Sequence, residues 1–421
     1  MSKTLILEPF YTNFHCDLAK SFSSEVYSLV FNLGNLIYLK GSQKLLVNKI
    51  VNEHPYSLSD LNMVKNIKSL FTEKKRKLEK VEPNEAEFIY MAKYVAFLRV
   101  FLAEKQIDLV IMHNDLRWQH ALAIRVCKEV GIRYLITERG LFRPHTTTFD
   151  FQGVNAFSSI PKEINFYESI TTKQLPFKEQ FVSHFKQFKI NVKFSLFLCL
   201  NFLGEVFKVN TPLINKRYSL VSYATLFFKQ IAYFKNKSLV KLPQQYIFIP
   251  LQVNTDTQVL VHSEYQDIQA FITHIEKTFY AEPSNVSLVF KPHPMDKGKK
   301  YVFDPRSIVV NCETSQLIEG SQFIITINST VGFEAIQRYK TVIVLGEAFY
   351  KIPKLCIVST FQSFREDLSS CLNHKAIINP QLVDKFVFYL KNEYQVNGNL
   401  FNYDVAMFKD IKQRVDKQKK P

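Results

Sequence analysis

Four polar clusters in this chain each follow directly on a short apolar run, and each carries side chains suited to holding an anion or to attacking an electrophilic carbon. Asn114-Asp115 comes after the run at 108–112. Glu138-Arg139-Gly140 comes after 134–137, with Arg143, His145 and Asp150 close behind. A carboxylate at Glu138 or Asp150 would serve as nucleophile or base; the alternative is a salt bridge to one of the arginines. Lys291-Pro292-His293-Pro294 follows the run at 286–290. Its two prolines hold the backbone out of helix. A rigid imidazole beside a lysine suits a phosphate; the alternative is a turn that happens to carry a histidine. Asn328-Ser329-Thr330 ends the run at 323–327 and leads into Val331-Gly332-Phe333-Glu334-Ala335, which reads as a helix start. Free helix N-terminal amides and the helix dipole form an anion site, unless Ser or Thr merely caps the helix.

Each apolar run reads as a strand, and amphipathic helical segments separate them. The first half offers strands at 4–7, 26–31, 108–112 and 134–137, a helix from Phe14, and a helix at 119–130 closed by Gly131. The second half offers strands at 246–250, 286–290, 323–327 and 341–345, with a helix at 266–278. Such alternation predicts α/β domains with parallel sheets. Ligands of open α/β sheets lie at the carboxyl ends of strands, where the four clusters fall. The spacing therefore predicts two Rossmann-like domains facing a central cleft. The first covers 1–160, a helical insert or linker covers 161–242, and the second covers 243–421, including a Lys-rich helical tail at 408–421.

Composition narrows the partners. The chain has 421 residues, enough for two or three domains. Its 54 basic and 38 acidic residues give a net charge of +16, which favours acidic lipid or negatively charged sugars and phosphates. Nucleic acid is not expected, since no helix-turn-helix, zinc-finger or RNP-like pattern occurs. The six cysteines are scattered without a CxxC pair, which predicts reduced thiols and no zinc site. There is no Asp-x-Asp motif, and no metal or other cofactor is expected. The N-terminal segment, interrupted by Glu8-Pro9, does not read as a signal peptide. The most apolar stretch, 194–207, contains Asn201, Gly204 and Glu205. It falls short of the ~20 residues that span a bilayer and predicts a buried or interfacial helix.

The ordered set of motifs resembles the capsule polysaccharide biosynthesis/export family typified by KpsS and KpsC, and the KpsS-like branch most. The matching segments are Glu138-Arg139-Gly140-Leu141-Phe142-Arg143-Pro144, Thr148-Phe149-Asp150-Phe151-Gln152-Gly153-Val154-Asn155, Pro250-Leu251-Gln252-Val253 with Asp256 and Gln258, and His262-Ser263. Lys291-Pro292-His293-Pro294-Met295-Asp296, Ile327-Asn328-Ser329-Thr330-Val331-Gly332-Phe333, Gly346-Glu347-Ala348-Phe349-Tyr350 and Ile352-Pro353 continue them. Arg139 stands where the family often has an acidic or amide residue, and residues 8–13 replace a loop that is usually Gly-rich. The resemblance implies a GT-B-like fold and a retaining β-Kdo transferase using CMP-Kdo, without metal. It also implies a lyso-phosphatidylglycerol-type lipid acceptor at the inner face of the inner membrane, and other capsule assembly proteins as further partners. On that reading His293, Lys291, Asn328, Ser329 and Thr330 hold the donor phosphate, with Gln252 and Asp256 also on the donor. Glu138 or Asp150 is the catalytic carboxylate, with Glu138 the better placed. Asn114, Asp115 and Arg143 face the acceptor or the sugar carboxylate. The rival readings are transfer of another CMP-activated acidic sugar, such as a sialic acid, and a non-catalytic capsule assembly or export factor.

Overall fold

The computed structural model describes residues 2–171, 192–213, 242–281, 283–296, 300–373 and 378–418. Two sheets organise them. The first runs β13-β6-β5-β4-β1-β2-β3. Its strands are β1 (Lys3–Leu7), β2 (Glu25–Val30), β3 (Gln43–Leu46), β4 (Leu109–His113), β5 (Arg133–Arg139), β6 (Thr146–Asp150) and β13 (Val396–Asn397). β1 to β5 pair in parallel, while β6 and β13 are antiparallel additions at the edge. The second sheet runs β12-β11-β10-β7-β8-β9 and is parallel throughout. It comprises β7 (Tyr246–Pro250), β8 (Ser287–Lys291), β9 (Ile308–Val309), β10 (Ile324–Thr326), β11 (Val342–Val344) and β12 (Ile357–Val358).

Both sheets are covered on both faces, which is why their central strands are almost wholly apolar. Along β1, Leu5 and Leu7 join the core on one face and Ile6 the core on the other. Along β7, Tyr246 and Phe248 face one core and Ile247 and Ile249 the opposite one. This is the two-residue period of a pleated strand. Burying each such side chain stabilises the fold by about 1.5–3 kcal/mol relative to leaving it in water.

In the first half, α1 (Phe14–Phe22), α2 (Val47–Glu53), α3 (Leu58–Lys65), α4 (Leu70–Lys74), α5 (Glu85–Glu104) and α6 (Trp118–Val130) surround the sheet. Gly131 ends α6 at φ 68°, a left-handed cap that glycine adopts without a Cβ clash. α7 (Ile164–Glu168) and α8 (Val192–Val206) lie in the segment between the halves. The second half adds α9 (Thr257–His262), α10 (Ile268–Phe279), α11 (Thr314–Gly320), α12 (Thr330–Ile336), α13 (Phe364–Leu372) and α14 (Pro380–Tyr389), and α15 (Val405–Lys417) closes the described chain.

The end of the chain departs from the expected 243–421 unit. After α14 the backbone crosses back, β13 pairs with β6, and α15 packs Met407, Ile411 and Val415 into the first half's core beside Phe14. The apolar spacing of α15 needs a partner face, and the first sheet supplies it. The predicted insert also divides. α7 packs Tyr167 against Phe386 of α14 in the second half, whereas α8 packs Phe197 beside Gly34 and Tyr38 of the first. The first half also reaches into the second, since Leu141 and Phe142 pack against the core around Phe333.

Candidate functional site

Strand order locates the crevices. In the first sheet the order β3-β2-β1-β4-β5 reverses direction between β1 and β4; in the second, β9-β8-β7-β10-β11-β12 reverses between β7 and β10. Loops leave in opposite directions at such a switch point, which opens a crevice outside the carboxyl strand ends. The loops concerned carry Glu8 after β1, Asn114 and Asp115 after β4, Gln252 and Asp256 after β7, and Asn328 to Thr330 after β10.

Glu138 stands next to the end of β5, its side chain 18% exposed. Nδ2 of Asn114 donates to its Oε2 at 2.9 Å, and the Arg139 backbone N–H donates to its Oε1 at 2.8 Å. Asn114 is itself fixed, because its Oδ1 accepts from Leu116 N at 2.9 Å while the backbone turns through φ 66°. Asn tolerates that conformation because its side chain closes a local turn. Below the carboxylate, His113 Nε2 lies 3.8 Å from Glu138 Oε1. The Thr137 hydroxyl bridges His113 Nδ1 at 3.0 Å and His15 Nε2 at 2.8 Å. Burial holds His15, His113 and His120 well below the ordinary imidazole range. They are neutral near pH 7, so none cancels the Glu138 charge. The Arg139 guanidinium sits over the Phe10 ring at 5.2 Å.

Two further carboxylates named from the sequence, Asp150 and Asp115, are placed differently from expectation. Asp150 ends β6 and is 1% exposed. Its Oδ1 accepts from the N–H groups of Gln152 and Gly153 at 2.7 and 3.2 Å. Its Oδ2 accepts from Ser159 N, Ser159 Oγ and Tyr394 Oη at 2.7, 2.9 and 2.8 Å. With five donors on two oxygens it organises the loop after β6 and ties it to the returning chain, which leaves no lone pair aimed at a substrate. Asp115 was expected to face the acceptor, but it is 4% exposed and accepts from Val154 N at 2.8 Å. Burial pushes its carboxyl up to about 7, opposed by the Val154 hydrogen bond and assisted by the charges of Glu138 and Asp150. Its Oδ1 has no hydrogen-bond partner among the described residues.

On the facing sheet, Gln252 and Asn328 are structural. Gln252 Nε2 donates to Asn328 Oδ1 at 3.0 Å, and Asn328 Nδ2 reaches the carbonyls of Gln258, His262 and Glu347. Both are buried, pinning the ends of β7 and β10 to α9. Asp256 caps α9, accepting from Gln258 N at 2.9 Å. Burial raises its carboxyl above the ordinary range; Glu138 across the cleft adds to the rise and His293 opposes it. The charges of both Glu138 and His293 thus reach Asp256. His293 Nδ1 accepts from Met295 N at 3.1 Å, so the neutral ring carries its proton on Nε2 as a donor. Burial lowers the imidazole from its ordinary value, against the pull of Asp256 and Asp296. Lys291 Nζ donates to Thr314 Oγ1 at 2.6 Å. Ser329 Oγ accepts from Val331 N at 3.2 Å, which is a plain helix cap, while Thr330 beyond it is exposed.

Beside this crevice a cleft of about 450 Å³ separates the halves, and Arg143, Thr330, Glu334, Arg338 and Lys391 contribute to its walls. Arg143 Nε donates to Gly140 O at 3.2 Å, and Arg338 donates to Glu334 O at 3.0 Å. Burial raises the Glu334 carboxyl, opposed by Arg338, Arg143 and Lys291, and the walls carry Arg143, Arg338 and Lys391 against the single carboxylate of Glu334. Of this set, sequence reasoning named Arg143 and Thr330. Arg338 lies in the turn after α12 and Lys391 in the helical turn that follows α14, neither with a local motif, and only the tertiary fold brings them here. Glu8 was also passed over. It accepts from Arg117 at 3.0 Å and from Gln119, and it sits after β1 at the switch point, a position that would have marked it. Among the described residues, no group of three or more His, Cys, Asp or Glu could hold a metal ion.

Comparison with known proteins gives a consistent set. Residues 108–401 match the family model described as "Capsule polysaccharide biosynthesis protein". The chain is similar to the capsule polysaccharide modification protein LipB of Neisseria meningitidis serogroup A. Identity is 25% over 334 residues, covering 73% of this chain and 78% of that one. It is similar also to the capsule polysaccharide export protein KpsS of Escherichia coli, 27% identical over 72% of this chain and 82% of that one. Among solved structures, the Thermosulfurimonas dismutans KpsC beta Kdo 2,7 transferase overlays with a TM-score of 0.38 and 14% identity, covering 86% of this chain and 98% of that one.

Proposed function

The chain belongs to the capsule polysaccharide biosynthesis protein family, and we propose that it is a retaining glycosyltransferase that moves Kdo from CMP-Kdo to a lyso-phosphatidylglycerol-type lipid. The observation that carries this reading is Glu138: a partly exposed carboxylate at the carboxyl end of β5, aimed by Asn114. In a double displacement, a Glu138 oxygen attacks the anomeric carbon as the bond to the CMP phosphate breaks, and CMP departs with the electron pair. A hydroxyl of the acceptor then attacks the same carbon from the vacated face. Glu138 is released as carboxylate and the hydroxyl proton passes to water. Two inversions retain the configuration.

Each neighbour has a task in this scheme. His293, donating from Nε2, and the exposed Thr330 hydroxyl serve the departing phosphate, where donors stabilise the growing charge. Arg143, Arg338 and Lys391 line the cleft on which an acidic sugar or an acceptor phosphate would sit. A CMP sugar has a single phosphate and the sequence lacks an Asp-x-Asp motif, so the reading requires no divalent ion. The work would take place at the inner face of the inner membrane with the protein held peripherally; none of the described helices is long and apolar enough to cross a membrane. The test is product analysis with CMP-Kdo and CMP-sialic acid offered separately to purified protein and lyso-phosphatidylglycerol. Turnover of CMP-Kdo in excess chelator supports the reading; preference for CMP-sialic acid overturns the donor, and absence of turnover with either overturns the enzyme.

A further inference from the structure

Helix α8 has two unlike faces. Phe197, Asn201 and Gly204, spaced four and three apart, are buried. Phe197 packs against Tyr11 and Tyr38, and Gly204 approaches Asn210 so closely that a Cβ there would meet its side chain. On the opposite side Val192, Leu196, Cys199, Leu203 and Val206 follow at intervals of four, three, four and three, and all are exposed. This is a straight stripe along four turns of helix. Phe202 and Phe207 widen it, with Val192 82%, Val206 58% and Phe207 70% exposed. Single exposed apolar residues are ordinary on a protein surface, but a continuous apolar stripe marks an interaction site.

The surroundings favour a lipid surface as the occupant. Glu205 is the one acidic residue of α8. Lys208 follows the stripe and is exposed, and its carbonyl accepts from Asn48 of α2 at 2.9 Å, which brings α2 and β3 alongside. Those elements expose Lys44 and Lys49 together with the apolar Leu46. An apolar stripe flanked by lysines is the pattern of a helix that lies in the interface of an anionic bilayer. The helix is also tied to the site, because Tyr11 of the loop after β1 packs edge-on to both Phe194 and Phe197. The Lys-rich end of the chain is otherwise engaged. α15 packs on the first core, and Arg414 is spent on the carbonyls of Tyr394 and Gln395. Lys412 and Lys417 remain exposed, while Lys419, Lys420 and the basic residues at 216, 217, 229, 235 and 237 lie outside the described residues.

We propose that α8 is the membrane-docking element of this protein, laying its Val192–Leu196–Cys199–Leu203–Val206 stripe into an anionic lipid surface beside the mouth of the cleft. The inference draws on the proposed membrane-borne acceptor for its purpose, but its test uses no sugar donor, so the two fail separately. The full chain, with Cys312→Ser to leave Cys199 as the exposed thiol, is labelled at Cys199 with an environment-sensitive fluorophore. It is then mixed with vesicles of phosphatidylcholine alone or with phosphatidylglycerol added. Expected are flotation with the anionic vesicles, a blue shift of the label, and quenching by spin-labelled lipid. The Leu196→Glu/Leu203→Glu variant, unchanged in circular dichroism, should partition about tenfold or more weakly. The proposal is overturned if that variant floats as the parent does, or if the label stays water-exposed on vesicles. It is overturned equally if Cys199 cannot be labelled in the free protein, which would mean that the chain covers its own stripe, or if the blue shift follows protein concentration instead of lipid.

Discussion

The side-chain amide of Asn114 donates to Oε2 of Glu138 over 2.9 Å, joining the carboxyl ends of β4 and β5 at the cleft. The bond sets the direction of the carboxylate, while the left-handed turn at Asn114 prevents the amide from swinging away. On the proposed reading Asn114 is a positioning residue. Asn114→Ala should lower kcat by about tenfold to a hundredfold with little change in KM for the donor, since misplacing a reacting group costs about that much. Asn114→Asp should be worse, because it sets a second negative charge against Glu138. Steady-state kinetics on both variants check this; a loss confined to KM would assign Asn114 to binding instead.

Asp150 and Glu138 should separate cleanly by stability. Asp150→Ala strands several buried donors, each costing about 1–3 kcal/mol when left unsatisfied, so a total loss of about 3 kcal/mol or more is expected. Glu138→Gln keeps an acceptor for Asn114 and should change stability by less than about 1 kcal/mol. Urea denaturation of the two variants distinguishes them. A stable, inactive Asp150→Ala protein would return Asp150 to the list of catalytic candidates.

Asp115 should make stability fall with rising pH. Its carboxyl is raised from 3.8 to about 7 in the folded protein. Between those values the folded state holds a proton that the unfolded state has released. The contribution is thus fully present below about pH 4 and is lost as pH rises through about 7. Asp115→Asn retains a carbonyl for the Val154 N–H and removes the titration. The stability difference between parent and variant should shift in the variant's favour from pH 4 to pH 8. Parallel curves across that range would show that Asp115 does not hold a proton there.

The cleft between the halves should recognise charge. Arg143→Ala and Arg338→Ala are each expected to raise KM for an anionic substrate about tenfold, more at low salt than at high salt, because exposed charges are screened. Reciprocal tests with Arg→Lys should recover part of the loss through charge alone. If neither substitution moves KM, the anionic group binds elsewhere.

How far the sequence alone reached follows from what local pattern can encode. The parallel strands were legible because burial on both faces makes them continuous apolar runs, and β7 fell at 246–250 as predicted. Glu138 was legible because it ends such a run. Asp150 looked like a loop residue because β6 is mostly threonine, TTTFD, and carries no apolar signature. Its burial depends on Tyr394, some two hundred and forty residues on, which no window of sequence connects. The return of β13 and α15 to the first sheet was hidden for the same reason: β13 is a two-residue strand and α15 is amphipathic, and neither states which core it faces. Asn328 and Gln252 were read as ligand-binding because polar residues at strand ends usually face the crevice, whereas here Asn328 satisfies backbone carbonyls and Gln252 holds Asn328.

The most direct test of the account is to catch Glu138 with sugar attached. Purified protein is incubated with CMP-Kdo and a slow acceptor, quenched in acid, and analysed by intact-protein and peptide mass spectrometry. The account predicts a mass increase of one Kdo residue, mapped to Glu138, formed with CMP release and lost when a good acceptor is added. Glu138→Gln should show neither adduct nor transfer, while remaining folded. Full transfer by Glu138→Gln, or an adduct mapped to another carboxylate, would contradict it.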